Sequence, residues 1–285
     1  MAEFIIQGGA RLSGEVTASG NKNAALPLLA ATLLTDQPVT LHNVPRIRDV
    51  LMLIELIQTL GASAEWLGPN TIRMNASGVS ACAIDPKLSR EIRASILLAG
   101  PMLARCGSVS LPPPGGDVIG RRRLDTHFLA FEALGASITS APGFFSLERD
   151  ELIGADIMLD EASVTGTENA IMAAALAKGD TILRNAASEP HVQELCRMLT
   201  TMGLKIDGIG SNTLVIHGVD RLSGAEFSVG ADNIEVTSFI VLGAVCGSDA
   251  GLWIRNAGPA NLGMSRLYLR RLGVRFETRG ASSKL

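Results

Sequence analysis

Apolar residues recur along this chain in a pattern with a period of about seventy residues. Leu60-Gly61-Ala62, Leu134-Gly135-Ala136, Met202-Gly203-Leu204 and Leu272-Gly273-Val274 each close an apolar run. Their glycines stand 74, 68 and 70 residues apart. Glycine in that place stops a helix, because it takes the left-handed conformation without a steric penalty. A second marker keeps the same spacing. Thr40-Leu41-His42-Asn43-Val44, Ile182-Leu183-Arg184-Asn185-Ala186 and Trp253-Ile254-Arg255-Asn256-Ala257 each read as an apolar strand ending in asparagine, and the asparagines lie 142 and then 71 residues apart. Val109-Ser110-Leu111-Pro112 fills the skipped position.

Each unit predicts the same elements in the same order. A helix of small apolar residues comes first, over 24–34, 93–103, 169–177 and 237–246. A short strand follows, then an amphipathic helix, as at 50–60 and 192–202. A hairpin closes the unit, such as 63–66 turning through Gly68-Pro69-Asn70 into 71–74. The fold class is α/β, built from repeated units, and the alanine-rich first helices suit close packing at a domain centre. Three complete units predict a domain over 20–228, and a fourth begins near Gly230. One unit does not easily bury its own apolar face. The fourth must lean on the other three, pair with the N-terminal strand, or belong to something longer. Residues 1–19 plus 229–285 are read as an incomplete second domain.

Composition refines this picture. The 285 residues are 47% apolar and 19% charged, which suits a compact globular protein. A net charge of −3 supplies no basic surface for nucleic acid or an anionic membrane, so any anion site has to be local. The most apolar segments, 24–34 and 239–246, are too short to cross a bilayer. Cys82, Cys106, Cys196 and Cys246 stand singly, without metal-ligand spacing or a disulfide framework. They read as small core or near-core residues in a reducing cytoplasm, with no metal and no cofactor expected. The first residues lack the basic stretch and apolar run of a signal peptide. Oligomeric state has no signal in the sequence.

Two stretches carry candidate chemistry. Prolines 112–114 lead into Gly115-Gly116-Asp117-Val118-Ile119-Gly120 and then three arginines, Arg121 to Arg123. Forked guanidinium donors suit phosphate and carboxylate ligands, and a carboxylic acid near bound anions retains a proton for delivery. The same residues also suit a solvated surface loop. Ser19-Gly20-Asn21-Lys22-Asn23 opens an apolar helix, where free backbone N–H groups and a lysine favour an anion, although plain capping by Ser19 or Asn21 fits as well. Arg93 and the stretch Ser163-Val164-Thr165-Gly166-Thr167-Glu168-Asn169 hold the equivalent places of the next two units. Glu168 and Asn169 read as capping residues there. Glu189 and His191 are read as capping the following helix. Asp232 and Glu235 reverse the charge at the fourth start.

Together, Ser19 to Pro27, Ile92-Arg93-Ala94-Ser95, Gly115 to Arg122, Leu124-Asp125-Thr126-His127 and Thr165 to Asn169 resemble the enolpyruvyl transferases, over residues 4–275. Within that family they are similar to the UDP-N-acetylglucosamine type more than to the shikimate-pathway type. The resemblance implies two inside-out α/β domains of three units each. It also implies enolpyruvyl transfer from phosphoenolpyruvate to UDP-N-acetylglucosamine in peptidoglycan synthesis. By the same resemblance, Lys22 holds phosphoenolpyruvate with Arg122 assisting, and Asn23 and Arg93 contact substrate. Arg122, Arg123, Leu124, Asp125 and Thr126 line the uridine site, and Ser163 and Val164 meet the diphosphate. Asp117 stands where most members have a cysteine and protonates the methylene carbon of phosphoenolpyruvate. Four units against the family's six imply a C-terminal truncation that leaves out the general base and further arginines. A non-catalytic UDP-sugar-binding homologue is the alternative reading.

Overall fold

A computed structural model describes residues 3–116 and 123–279. A first strand, β1 (Leu12–Thr17), precedes a unit made of α1 (Lys22–Ala31), β2 (Val39–His42), α2 (Arg48–Thr59), β3 (Ser63–Trp66) and β4 (Ile72–Asn75). The second unit has α3 (Pro86–Glu91), α4 (Ala99–Cys106), β5 (Ser108–Leu111), α5 (Asp125–Ala133), β6 (Ser137–Ala141) and β7 (Phe144–Glu148). The third contains β8 (Asp156–Met158), α6 (Val164–Ala174), β9 (Asp180–Arg184), α7 (Pro190–Thr201), β10 (Lys205–Asp207) and β11 (Thr213–His217). After it come β12 (Ala225–Ser228), α8 (Asn233–Cys246), β13 (Gly247–Arg255) and α9 (Gly263–Arg271).

The chain divides into two compact units, Lys22–Val229 and Met1–Asn21 with Gly230–Leu285. In the larger, sheets β12-β2-β4-β3, β8-β9-β11-β10 and β5-β7-β6 share one plan. A hairpin lies antiparallel to the unit's first strand, and a parallel strand covers that strand's other edge. In the β5-β7-β6 sheet this parallel partner shrinks to a bridge between Ala83 and Ser110. The first helices, α1 and α6, are buried on all sides, whereas α2 and α7 bury one face only. Helices therefore fill the centre and sheets lie outside them, which explains why α1 and α6 are so rich in alanine: neither has a face for solvent.

Both sequence markers have a physical basis. Gly61, Gly135, Gly203 and Gly273 end helices at φ of 106°, 98°, 106° and 81°. Asn43, Asn185 and Asn256 also have positive φ, between 53° and 56°, a region asparagine tolerates better than other residues with a side chain. Each Nδ2 donates to the carbonyl that follows the parallel neighbour strand, on Val229, Leu159 and Ala18, at 2.8, 3.0 and 3.3 Å. The asparagine thus clamps two parallel strands at the point where the chain turns away. Pro112 stands in the second unit, where the chain leaves for the 112–124 segment instead.

The boundaries differ from the sequence reading at three first helices. The helix expected over 93–103 begins as a 3-10 turn, Arg93–Leu98, and becomes α-helical only at Ala99. Pro101 lacks the N–H that an uninterrupted helix would give to Leu97. Capping by Ser163, whose Oγ accepts from Gly166 N at 3.2 Å, starts α6 five residues ahead of the expected Asn169. Asp232 does the same for α8, accepting from the backbone N–H groups of Ile234 and Glu235 at 2.9 and 3.1 Å.

In the smaller unit β1 lies parallel to β13. Although α8 is apolar from Phe239 to Cys246, Val236 is its one buried residue among those described. Ile234 and Val245 are 62% and 71% exposed. Few buried contacts mean a low cost of local opening. Amides of 233–246 are expected to exchange at least tenfold faster than those of α1 or α6 by hydrogen-exchange mass spectrometry. Equal protection of all three helices would contradict this.

Candidate active site

Three helix starts of the larger unit converge on one cavity of about 480 Å³. Lys22 and Asn23 enter it from the first turn of α1, Arg93 from the 3-10 turn, and Val164 and Thr165 from the first turn of α6. Gly116, the last described residue before Asp117, lines it too. Backbone N–H groups at a helix start have no partner within their own helix, so three such starts aimed at one space favour an anion.

Charged side chains reinforce this. Lys22 Nζ pairs with Asp49 Oδ2 at 3.0 Å, both half-exposed. Arg48 pairs with Glu91 at 2.6 Å on the rim. Counting Arg93, the described lining holds three firm cations against the carboxylates of Asp49 and Glu91. A third carboxyl, Glu168, also lines the cavity. Burial, and secondly the charge of Glu189, hold its carboxyl well above the ordinary value of 4.5. That shift favours its neutral form, and its buried Oε1 has no hydrogen-bond partner among the described residues.

The expected site residues take different positions. Lys22, Asn23, Arg93 and Val164 share the cavity. Arg123 pairs with Asp125, both half-exposed or more. Leu124 occupies the position before α5. Thr126 is buried and donates from Oγ1 to Asp160 at 2.7 Å, and Ser163 is the α6 cap. Asp117 and Arg122 lie outside the described residues.

Glu168 and Asn169, read from sequence as capping residues, instead lie inside α6 and are fully buried. Nor does the Glu189 side chain cap α7, although the residue holds the N-cap position. His191 lines the cavity from the start of α7. Sequence reasoning also passed over Arg48 and Asp49. The available signal was their place in the first turn of the second helix.

Behind the cavity, His127 is 2% exposed. Burial, and secondly the nearby Arg93 charge, push its imidazole down to about 4. Nδ1 lies 3.0 Å from Asn169 Nδ2, and Nε2 lies 3.2 Å from Thr165 Oγ1.

The sequence model of the family described as EPSP synthase (3-phosphoshikimate 1-carboxyvinyltransferase) matches residues 6–283. Several relatives bear the name UDP-N-acetylglucosamine 1-carboxyvinyltransferase. The one from Bradyrhizobium diazoefficiens is 56% identical over 95% of this chain and 62% of its own length. The one from Treponema denticola is 50% identical over 99% of this chain and 66% of its own. The chain thus spans a little under two thirds of the length of these relatives. Among solved structures, the enolpyruvyl transferase NikO from Streptomyces tendae superposes with a TM-score of 0.85 at 25% identity, covering 96% of this chain and 65% of that one. EPSP synthase from Acinetobacter baumannii, at 20% identity, a TM-score of 0.69 and coverage of 84% and 55%, shares the fold. Sequence and architecture agree: the chain belongs to the EPSP synthase (3-phosphoshikimate 1-carboxyvinyltransferase) family, whose structural neighbours are enolpyruvyl transferases.

Proposed function

We propose that the cavity binds phosphoenolpyruvate and UDP-N-acetylglucosamine and that the protein transfers the enolpyruvyl group to the sugar 3'-hydroxyl, the first committed step of peptidoglycan synthesis. The observation that carries this reading is the meeting of Lys22 and Arg93, from equivalent places in two repeat units, beside the entry to the Asp117 segment. The names of the relatives support the choice of sugar nucleotide.

In this reading Lys22, with Arg122, neutralises phosphoenolpyruvate, and Asn23 and Arg93 hold the reacting groups together. Arg122, Arg123, Leu124, Asp125 and Thr126 line the uridine, while Ser163 and Val164 meet the diphosphate at the start of α6. The Asp117 carboxylic acid gives its proton to the methylene carbon, leaving a cationic centre at the neighbouring carbon. The sugar oxygen adds there and loses its proton to a base. The tetrahedral adduct then loses a methyl proton and inorganic phosphate, restoring the double bond. Acid–base steps and fixed charges suffice, so the chemistry calls for no metal or cofactor. No helix among the described residues is long and apolar enough to cross a membrane. A place in the cytoplasm and a role in cell-wall biogenesis, cell shape and division belong to this proposal.

Phosphate release from phosphoenolpyruvate in the presence of UDP-N-acetylglucosamine tests it, comparing the chain with Asp117→Asn. The substitution is expected to slow release by about 10²–10⁴-fold, the usual worth of a positioned acid. A folded chain that binds UDP-N-acetylglucosamine but releases no phosphate would support the non-catalytic alternative instead.

A further inference from the structure

The buried hydrogen bonds behind the cavity fix which ring nitrogen of His127 carries the proton. Gly100 N, which can only donate, lies 2.8 Å from Asn169 Oδ1, so that end of the amide is the oxygen. The other end, Nδ2, donates to the Ile96 carbonyl at 3.0 Å. Gly100 to Ile96 is the spacing of an ordinary helical bond, and the Asn169 amide replaces that bond across the junction between the 3-10 turn and α4. The remaining Nδ2 hydrogen goes to His127 Nδ1 at 3.0 Å, which makes Nδ1 an acceptor. A neutral ring then carries its proton on Nε2 and donates it to Thr165 Oγ1 at 3.2 Å.

With that lone pair occupied, the Thr165 hydroxyl hydrogen points away from His127. Among the described residues Oγ1 has no other partner, and Thr165 lines the cavity. Independently, Glu168 lines the same cavity, and its buried Oε1 has no partner among the described residues. Two polar groups on one face of α6 are therefore left for a ligand to complete.

We propose that Thr165 is a substrate-binding donor, its hydroxyl aimed by the Asn169–His127 pair at a phosphoryl oxygen of the bound ligand. This rests on the function proposed above and adds to it a residue that sets affinity. The oxygen belongs either to the nucleotide diphosphate or to phosphoenolpyruvate, and separate titrations distinguish them.

Calorimetric titrations with UDP-N-acetylglucosamine, and with phosphoenolpyruvate in its presence, are run on wild type, Thr165→Ser and Thr165→Val. One hydrogen bond to a charged oxygen corresponds to about a ten- to hundredfold loss for valine, with serine within about threefold of wild type. The loss falls on the ligand whose oxygen is held. The second readout needs no ligand. A long-range ¹⁵N spectrum of the four histidines, with His127 assigned by its absence in His127→Gln, is expected to show protonated Nε2 and bare Nδ1. Protonated Nδ1, or valine binding both ligands as tightly as wild type, overturns this inference alone. Wild type binding neither ligand sinks the functional reading, and with it the ligand named here.

Discussion

Gly115→Ala is expected to lower phosphate release about a hundredfold, and to weaken UDP-N-acetylglucosamine binding, while leaving the fold intact. Gly115 N donates to Ser89 O at 3.0 Å and Gly116 N to Arg90 O at 3.3 Å, so the entry of the Asp117 segment is stitched to the end of α3. A Cβ on Gly115 would lie 1.6 Å from Arg90 O, a backbone atom that cannot rotate aside. One side has to move. The α3 side is anchored by the Asp85 cap and by the buried bond between Ser89 and Ser95 at 3.0 Å. The entry segment is therefore the side that shifts, carrying Gly116 away from Arg93. A displacement of about 1 Å in a reacting group costs on the order of 10² in rate. Gly143→Ala is the control. Its φ is +88° with nothing within 4 Å of a new Cβ, so it strains a hairpin and spares the site. Release within threefold of wild type in Gly115→Ala would show that the entry carries no geometric constraint.

Stability should respond to pH through two buried groups that pull in opposite directions. His127 titrates near 6.5 when unfolded and about 4 when folded. Between those values the unfolded chain takes up a proton that the native state refuses. Its contribution is complete above pH 6.5 and falls away by about 3 kcal/mol as pH drops to 4. Glu168 behaves inversely. Its native pKa is raised above 4.5, so the native state keeps a proton that the unfolded chain releases. Its contribution is complete below 4.5 and is lost as pH rises toward the native value. Where both titrate, the slopes offset each other and the wild-type profile is flattened. Glu168→Gln keeps the shape without the ionisation. The variant is expected to gain on wild type as pH rises from 5 to 7, because only the wild-type carboxyl carries a penalty that grows with pH. Urea denaturation at intervals from pH 4.5 to 7.5 measures this. An equal difference at pH 5 and pH 7 would mean that Glu168 ionises without penalty in the folded state.

The repeat was legible because its markers are backbone requirements. Gly61 and Asn43 recur because few residues accept positive φ, so their spacing registers the architecture without any knowledge of packing. Lys22 and Arg93 were legible for a related reason, since a cation opening an apolar helix stands out in one dimension. The partner of each parallel strand was not. By the plan of the other units β1 should lie against β2, yet it lies against β13, and β12 takes the place beside β2. Parallel pairing is fixed by contacts far apart in sequence, and no local residue announces it. Glu168 and Asn169 misled for a different reason. Thr165-Gly166-Thr167-Glu168-Asn169 has no apolar residue, so the pattern started the helix after it. In the structure that polar stretch is the buried first half of α6, satisfied in part by His127, Gly100 and the Ala187 N–H.

The exchange of β1 and β12 also bears on the order in which the chain folds. Gly20 bridges Ala231, and Asn21 N donates to Gly230 O at 2.8 Å, so the smaller unit is left and rejoined at one point. Ala18 and Asn256, which its strand pair joins, are 238 residues apart. Closing a loop of that length from an unfolded chain carries an entropy cost of about 5 kcal/mol, before any contact rewards it. Once residues 22–229 have condensed, most of that loop no longer exists, and β1 meets β13 across a short gap. The larger unit therefore condenses first, and the smaller closes after it. A stall in the larger one leaves α8, the most exposed apolar helix, without even its strand pair during synthesis.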